Sequence, residues 1–170
     1  VNCANPGAGT HLVLLGTTGG VSWWPDAGRA SSSSALFVNG SIYLVDLGQG
    51  SASRLTQMFN TDPIVNGDSY VGTGSSTFLS QLKALFFTHL HNDHIADYPS
   101  LLLIGPGAGL GAHTPLQIIG PCNRGQLDIN RSGFDETNLV YTDSADPGLI
   151  NPTPGNRQMT DLIWQAFAQT

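Results

Sequence analysis

Short apolar runs separated by glycine-rich and polar turns dominate the first part of the chain. Thr10–Gly16 (THLVLLG) predicts a strand that runs into the glycine turn GTTGG. Ala35–Val38 and Ser41–Leu47 are two further apolar runs, and the Asn39-Gly40 pair between them is the strongest short-range signal for a β-hairpin. The pattern therefore predicts three strands in this region.

Apolar residues at helical spacing appear next. Ser53–Phe59 has this spacing directly after the glycines of LVDLGQG and predicts a helix. Leucines at three-residue intervals from Leu79 predict a helical turn that leads into a buried strand, Ala84–Phe87. Near the end of the chain, the amphipathic segment Thr160–Ala168 predicts a helix with Thr160 as its N-cap.

Proline shapes the segment between the buried strand and the next one. Pro99 forbids one uninterrupted helix from Asp93 to Ile104, because it has no N–H and clashes with the preceding turn. A short helix capped by Asn92 or Asp93, followed by a second with Pro99 in its first turn, satisfies the sequence. Pro115–Gly120 then predicts another strand. The many Gly, Pro, Ser, Thr and Asn residues suit a loop-rich α/β or β-rich enzyme better than a helical bundle.

Length and composition bound the organisation of the chain. Its 170 residues predict a single domain, 1–170, in which residues 123–156, rich in turn formers, form an insertion or a long loop. The formal charge is −6, and the six Lys and Arg residues are scattered, which argues against nucleic-acid binding. No apolar run approaches the ~18 residues that a membrane span requires.

Two cysteines bear on the cellular compartment. Cys3 and Cys122 could form one disulfide, although two buried free thiols are the simpler alternative. The start VNCANPGAG resembles a mature terminus after removal of a signal peptide, and the low lysine content is typical of exported bacterial proteins. We therefore expect a periplasmic or secreted protein, with the cytoplasm as the alternative.

Three of the five histidines lie within six residues, directly after the predicted buried strand, in THLHNDH. Side chains alternate with period two in an extended segment, so His89, His91 and Asp93 can point to the same side. His94 begins the next helix and is turned further round. Imidazole and carboxylate are suitable ligands for Zn²⁺, and for Mn²⁺ or Fe. Such a run can also be plain polar surface, but its order and position favour two metal ions about 3.5–4 Å apart.

The motif THLHNDH resembles the signature of the metallo-β-lactamase superfamily of metallohydrolases. LGTTGG at 15–20, YLVDLGQG at 43–50 and LQIIGP at 116–121 are similar to the branch that contains tRNase Z and the exported arylsulfatases. The resemblance covers roughly residues 10–122 and the last helix. It implies an α/β fold, the N-terminal half of an αβ/βα sandwich whose mixed sheet carries helices on its outer face.

The resemblance also implies roles for five residues. His89 and His91 would bind a first metal ion, and Asp93 and His94 would bind a second and act at the catalytic centre. Asp46, in VDLG, resembles the aspartate that supports this loop by hydrogen bonding without touching metal. Without the resemblance, Asp46 would be interpreted as an ordinary turn residue beside Gly48.

Part of the superfamily pattern has no counterpart here. A further histidine, a metal-bridging aspartate and a final histidine are expected later, yet no histidine follows residue 122. We therefore expect a second polypeptide to supply the C-terminal half and the remaining ligands. An absent remainder and a divergent short form are the alternatives. His11 and His113 are expected to be structural or surface residues, with His113 a minor candidate for the rim of the site. Asp143 could mimic the bridging aspartate, but it is set aside because no ligand histidine precedes it.

The expected activity is metal-dependent hydrolysis, in which water activated by two metal ions cleaves an ester of a small molecule. The ester could be a sulfate, a phosphodiester, or a carboxylic ester or lactone. The alternatives are a tRNA 3′-end-processing endonuclease of the tRNase Z type and a non-catalytic relative with an incomplete site. The segments 22–29, with Trp23 and Trp24, and 60–77 are expected to shape the substrate pocket. A homodimer is left open.

Overall fold

The computed structural model describes residues 9–20, 28–59, 77–122 and 155–167. The chain divides into two compact units, Val1–Gly120 and Pro121–Thr170. The single domain and the insertion at 123–156 stay predictions, because most of that segment lies outside the described residues. Trp23, Trp24, Asp143, Cys3 and most of 60–77 also lie outside them, whereas Cys122 is exposed.

The first unit is built on one mixed sheet of five strands in the order β1-β2-β3-β4-β5. The first three strands pair antiparallel, and the last three pair parallel. Helices alternate with the later strands, which confirms the α/β class. The strands are β1 (Thr10–Gly16), β2 (Ser33–Val38), β3 (Ser41–Val45), β4 (Leu82–Phe86) and β5 (Gln117–Ile119).

The helices of the first unit are short. They are α1 (Ser51–Phe59), α2 (Asn92–Ile95) and α3 (Tyr98–Ile104), with 3₁₀ turns at Phe78–Gln81 and Gly105–Ala108. The described part of the second unit contains α4 (Asn156–Ala166). Every helix among the described residues is too short or too polar to cross a bilayer.

The hairpin of β2 and β3 confirms the prediction made from its turn. Asn39 and Gly40 have φ angles of 47° and 86°, the left-handed values that a type I′ turn requires at both central positions. Gly9 donates its N–H to the Asn39 side chain at 3.1 Å, and Asn39 N–H bonds the Gly9 carbonyl at 2.8 Å. The turn therefore also ties the start of β1 to the hairpin.

Several predicted boundaries are wrong in detail. Strand β4 begins at Leu82, two residues before the predicted start at Ala84, because parallel pairing with β3 already includes Leu82. The predicted helical turn is therefore limited to Phe78–Gln81 and contains only Leu79 of the three leucines. The N-cap of α2 is His91, not Asn92 or Asp93, whereas Pro99 does lie in the first turn of α3. Thr160 is not the N-cap of α4, since its hydroxyl donates to the Asn156 carbonyl at 2.6 Å inside the helix.

Helices α1 and α3 cover one face of the sheet. Their buried apolar side chains include Leu55, Met58, Leu101 and Leu102. Phe87, just after β4, contacts the fully buried Tyr98 edge to face, with ring centroids 4.9 Å apart. This core places the end of β4 on a rigid support. The buried residues of the five strands are Leu15, Ser33, Ala35, Phe37, Ile42, Leu44, Leu82, Ala84 and Leu85.

Candidate metal centre

The histidine cluster lies on the loop that follows β4. Phe87 is the last residue tied to the sheet, through its N–H to the Ile119 carbonyl at 2.7 Å. The chain then runs through His89 and His91 into α2. One potential ligand atom from each of His89, His91 and Asp93 can be chosen so that all three lie within 4.8 Å of one another. A divalent metal ion could take all three donors, so the residues present fit the predicted group.

His94 completes the cluster from within α2. Its ring centroid lies 4.0 Å from that of His89, and the His89 and His91 rings are 4.6 Å apart. His94 Nε2 is 3.5 Å from an Asp93 carboxylate oxygen. The structure therefore brings the four predicted ligands together, while their division into two metal sites stays a prediction.

Asp46 lies beneath the loop, on the segment that follows β3. It is 3% exposed and has a left-handed φ of 60°, a conformation that aspartate tolerates better than most residues. Its Oδ1 accepts the Thr88 N–H, and its Oδ2 accepts the Thr88 hydroxyl, each at 2.8 Å. Oδ2 also lies 2.8 Å from His94 Nδ1. These bonds are what the predicted supporting role requires.

Asp93 is held from a second direction by the loop after β1. The Gly20 N–H donates to Asp93 Oδ2 at 2.8 Å, across 73 residues of sequence. Burial raises the pKa of the Asp93 carboxyl, but the Gly20 hydrogen bond and the nearby His94 and His91 rings together outweigh it. The net pKa lies below the usual 3.8. Asp93 is therefore a carboxylate at neutral pH, as a metal ligand must be.

Backbone contacts fasten the same loop to the turn between β3 and α1. Leu47 N–H bonds the His94 carbonyl at 2.7 Å, and Asp97 N–H bonds the Leu47 carbonyl at 3.1 Å. Gly48 lies so close that a Cβ there would be 2.1 Å from the Asp93 carbonyl oxygen. The Asp97 carboxylate accepts the Ala52 N–H at the start of α1, at 2.9 Å.

Two cavities adjoin this region. A polar one of about 250 Å³ borders Asp93 and Asn92 and extends to Gly20, Ser31 and Gln49. A larger, mainly apolar one of about 420 Å³ lies between α1, α3 and the two 3₁₀ turns and is not lined by any of the clustered histidines. Of these two cavities, only the smaller one is lined by a candidate metal ligand, Asp93.

Comparison with known proteins agrees with the resemblance noted in the sequence. The chain is 31% identical over 144 residues to the ribonuclease Z of Mycobacterium sp. (strain KMS), across 85% of this chain and 44% of that protein. It is 30% identical over 146 residues to the ribonuclease Z of Listeria monocytogenes serotype 4a (strain HCC23). That alignment covers 82% of this chain and 40% of the relative. The chain belongs to the metallo-β-lactamase superfamily.

This superfamily member spans less than half the length of the two curated relatives compared, which fits the prediction of an N-terminal portion. No protein-family model matches the chain. Among solved structures, it is 25% identical to the short form of human tRNase Z. That match has a TM-score of 0.44 and covers 65% of this chain and 34% of that one.

Thr88 and Gly20 contribute to the site although neither is among the site residues predicted from the sequence. A hydroxyl directly before the first candidate ligand histidine is a usable signal for Thr88. No local signal shows that the Gly20 N–H meets Asp93. The exposed residues His11 and His113 are not in the cluster of donor atoms found among the described residues.

Proposed function

We propose that this chain supplies the metal-binding half of a metal-dependent hydrolase that cleaves a phosphodiester in RNA, as the names of its ribonuclease Z relatives suggest. The observation that carries the proposal is the convergence of His89, His91, Asp93 and His94 at the end of β4. The proposed cofactor is a pair of divalent ions, with Zn²⁺ the first candidate and Mn²⁺ or Fe next.

In such a site, the residues of this chain would bind the metal ions and orient one another. His89 and His91 would hold one ion, and Asp93 and His94 a second, with Asp46 fixing the His94 ring. The chemistry supplied by bound ions is activation of water at neutral pH and polarisation of the scissile bond. The Gly20 N–H holds the Asp93 carboxylate in place and favours its charged form, through the hydrogen bond described above.

A small-molecule ester is the second candidate substrate, as in the arylsulfatase-like part of the superfamily. The observation that favours it is the low number of basic residues, six Lys and Arg against twelve Asp and Glu. RNA cleavage therefore requires basic surface outside this chain, since phosphate contacts dominate nucleic-acid affinity. Export to the periplasm or beyond would accompany the ester candidate and rests on sequence composition alone.

Replacing His89 by alanine is expected to abolish hydrolysis and to lower the bound metal content of the intact protein. The test compares the rates of hydrolysis of a precursor tRNA, an aryl sulfate and a small phosphodiester. The bound metal is measured by elemental analysis. His113→Ala is the matched control, because that exposed histidine lies outside the cluster, and it should behave as wild type.

The substrate results separate the two candidates. Cleavage of the tRNA, with binding that weakens steeply as salt is raised, supports the ribonuclease assignment. Turnover of the small esters alone would replace it with the second candidate. A wild-type protein with no bound divalent metal and no activity on any of the three substrates would contradict the hydrolase proposal altogether.

The open face of the sheet supports the proposed C-terminal partner. One register row crosses all five strands, and four of its members are large exposed apolar residues, from 36% to 62% exposed. Parallel strands such as β3, β4 and β5 are normally buried on both faces. We propose that the C-terminal half covers this apolar row, which consists of Leu14, Ser34, Val45, Phe86 and Ile119.

Phe86→Glu should therefore lower the free energy of unfolding of the intact protein by more than about 2 kcal/mol, since a covered face would bury the charge. If the halves are separate polypeptides, the same change should prevent their copurification. Ile104→Glu is the matched control, because Ile104 is 71% exposed and lies on α3, away from the row. Equal small effects of both changes on denaturant unfolding would show that the row is not covered.

A further inference from the structure

Thr88 lies at the junction of three candidate site residues. Its hydroxyl oxygen is 2.8 Å from Asp46 Oδ2 and 3.1 Å from His89 Nδ1. His94 Nδ1 is further away, at 3.4 Å, and is itself 2.8 Å from Asp46 Oδ2. The hydroxyl is thus placed between a buried carboxylate and the first histidine of the motif.

The direction of each hydrogen bond follows from the chemistry of the groups. An ionised carboxylate can only accept, so the single hydroxyl proton of Thr88 points to Asp46. The Thr88 oxygen then has only acceptor capacity left for His89, whose Nδ1 must carry the proton. We propose that the Thr88 hydroxyl, held by Asp46, sets the Nδ1–H tautomer of His89 and leaves its Nε2 lone pair for a metal ion.

The same carboxylate fixes His94 directly. Asp46 Oδ2 accepts from His94 Nδ1, so the lone pair of a neutral His94 is also on Nε2, the atom 3.5 Å from Asp93. One buried residue therefore orients two imidazoles, His94 by direct contact and His89 through Thr88. This explains how a single aspartate can support ligands assigned to two different metal ions.

The backbone makes threonine suited to this task. Thr88 N–H bonds Asp46 Oδ1 while its hydroxyl bonds Oδ2, so the carboxylate holds the residue at two points. The branched Cβ restricts χ1 and limits the positions that the hydroxyl can take. Thr88 itself is exposed, so water competes for the hydroxyl, and the buried acceptor gives the bond its direction.

This inference rests on the proposed metal site, and its test uses readouts independent of activity. Thr88→Val keeps the shape and removes the hydroxyl, whereas Thr88→Ser keeps the hydroxyl. In the intact metal-free protein, nitrogen-15 NMR of the histidine rings should show His89 as the Nδ1–H tautomer in wild type and Thr88→Ser. In Thr88→Val that signal should be lost or mixed with the Nε2–H form.

Metal affinity gives the second readout, with Zn²⁺ as the probe. Thr88→Val should bind Zn²⁺ about 10-fold more weakly or worse, as is typical when a group that orients a ligand is removed. Thr88→Ser should restore binding to within a few-fold. Thr56→Val is the matched control, because it removes a hydroxyl that bonds the Ala52 carbonyl within α1, and it should leave both readouts unchanged.

The outcomes distinguish this inference from the proposed function. An unchanged His89 tautomer in Thr88→Val overturns the role of Thr88, even if the enzyme binds metal and hydrolyses RNA. A wild-type protein that binds no Zn²⁺ contradicts the proposed metal site, while the tautomer measurement still decides whether Thr88 orients His89. A Thr88→Ser variant as impaired in Zn²⁺ binding as Thr88→Val would also overturn it.

Discussion

Gly48→Ala is expected to destabilise the intact protein by about 3 kcal/mol or more and to displace the Asp93 loop. The added Cβ would meet the Asp93 carbonyl oxygen at 2.1 Å and the Ser31 Cβ at 2.6 Å. Overpacking of this kind costs about 1–3 kcal/mol where neighbouring side chains can move. Here a backbone atom must move, and it belongs to a candidate metal ligand. Denaturant unfolding and Zn²⁺ titration measure the two consequences.

The chain offers a matched glycine for comparison. A Cβ at Gly107 would have no atom within 4 Å, and its φ is not in the left-handed region. Gly107→Ala should therefore be neutral or stabilise the protein by up to about 1 kcal/mol, through the lower entropy of the unfolded chain. If Gly48→Ala behaved like Gly107→Ala, the close approach of the β3–α1 turn to the metal loop would be refuted.

Features set by neighbouring residues could be predicted from the sequence. The Asn39-Gly40 turn specifies its own hairpin, and β1 (Thr10–Gly16) is predicted from a short apolar run that ends at a glycine turn. The spacing of His89, His91 and Asp93 likewise brings three donors to one side of one loop, so their convergence needs no distant contact. In each case the physical cause lies within a few residues of the effect.

Features set by distant residues could not be predicted in this way. The contact of Gly20 with Asp93 spans 73 residues, and the contact of Gly48 with the Asp93 carbonyl depends on packing between two loops. The predicted start of α4 is wrong for a related reason. Threonine is a common N-cap residue, but the N-cap of α4 is Gly155, and Thr160 lies within the helix. Threonine alone therefore did not mark the boundary.

The supports of the site come from three separate segments of the first unit. The loop after β1 holds Asp93, the turn after β3 holds His94 and Thr88, and the sheet holds Phe87 at the end of β4. Each segment is anchored in the sheet, so contacts within the chain hold Asp93 and His94, and hold His89 through Thr88, without a metal ion. Such preorganisation reduces the cost of binding. Loss of a support should therefore appear as weaker metal binding rather than as a slower chemical step alone.

Asp46→Asn is expected to weaken Zn²⁺ binding by about 10- to 100-fold, the usual range for a group that orients a metal ligand. The carboxylate accepts the Thr88 N–H, the Thr88 hydroxyl and His94 Nδ1–H. Asparagine has one acceptor oxygen and two N–H donors, so at least one of these three donors meets another donor. Asparagine also tolerates the left-handed φ of 60°, so backbone strain adds little.

The two orientations of the asparagine amide have different consequences. With its oxygen toward the Thr88 N–H, its NH₂ group donates a hydrogen bond to His94 Nδ1, and a neutral His94 then carries its own hydrogen on Nε2. That tautomer cannot bind metal through Nε2. With the amide reversed, the Thr88 N–H loses its acceptor. Because Thr88 is exposed and water can replace the bond, the cost stays below the about 1–3 kcal/mol of stability that a fully buried donor would lose. Isothermal titration with Zn²⁺ and denaturant unfolding of the metal-free protein separate the two cases.

Asp97→Asn is the matched control for this change. The Asp97 carboxylate accepts the Ala52 N–H at 2.9 Å, and an amide oxygen can keep that bond. Its effect on Zn²⁺ affinity should therefore stay within about 2-fold, since the residue orients no ligand histidine. Equal losses of Zn²⁺ affinity in both variants would mean that charge near the loop, rather than the acceptors of Asp46, controls the site. Loss in Asp46→Asn alone would place the control in the hydrogen bonds to Thr88 and His94.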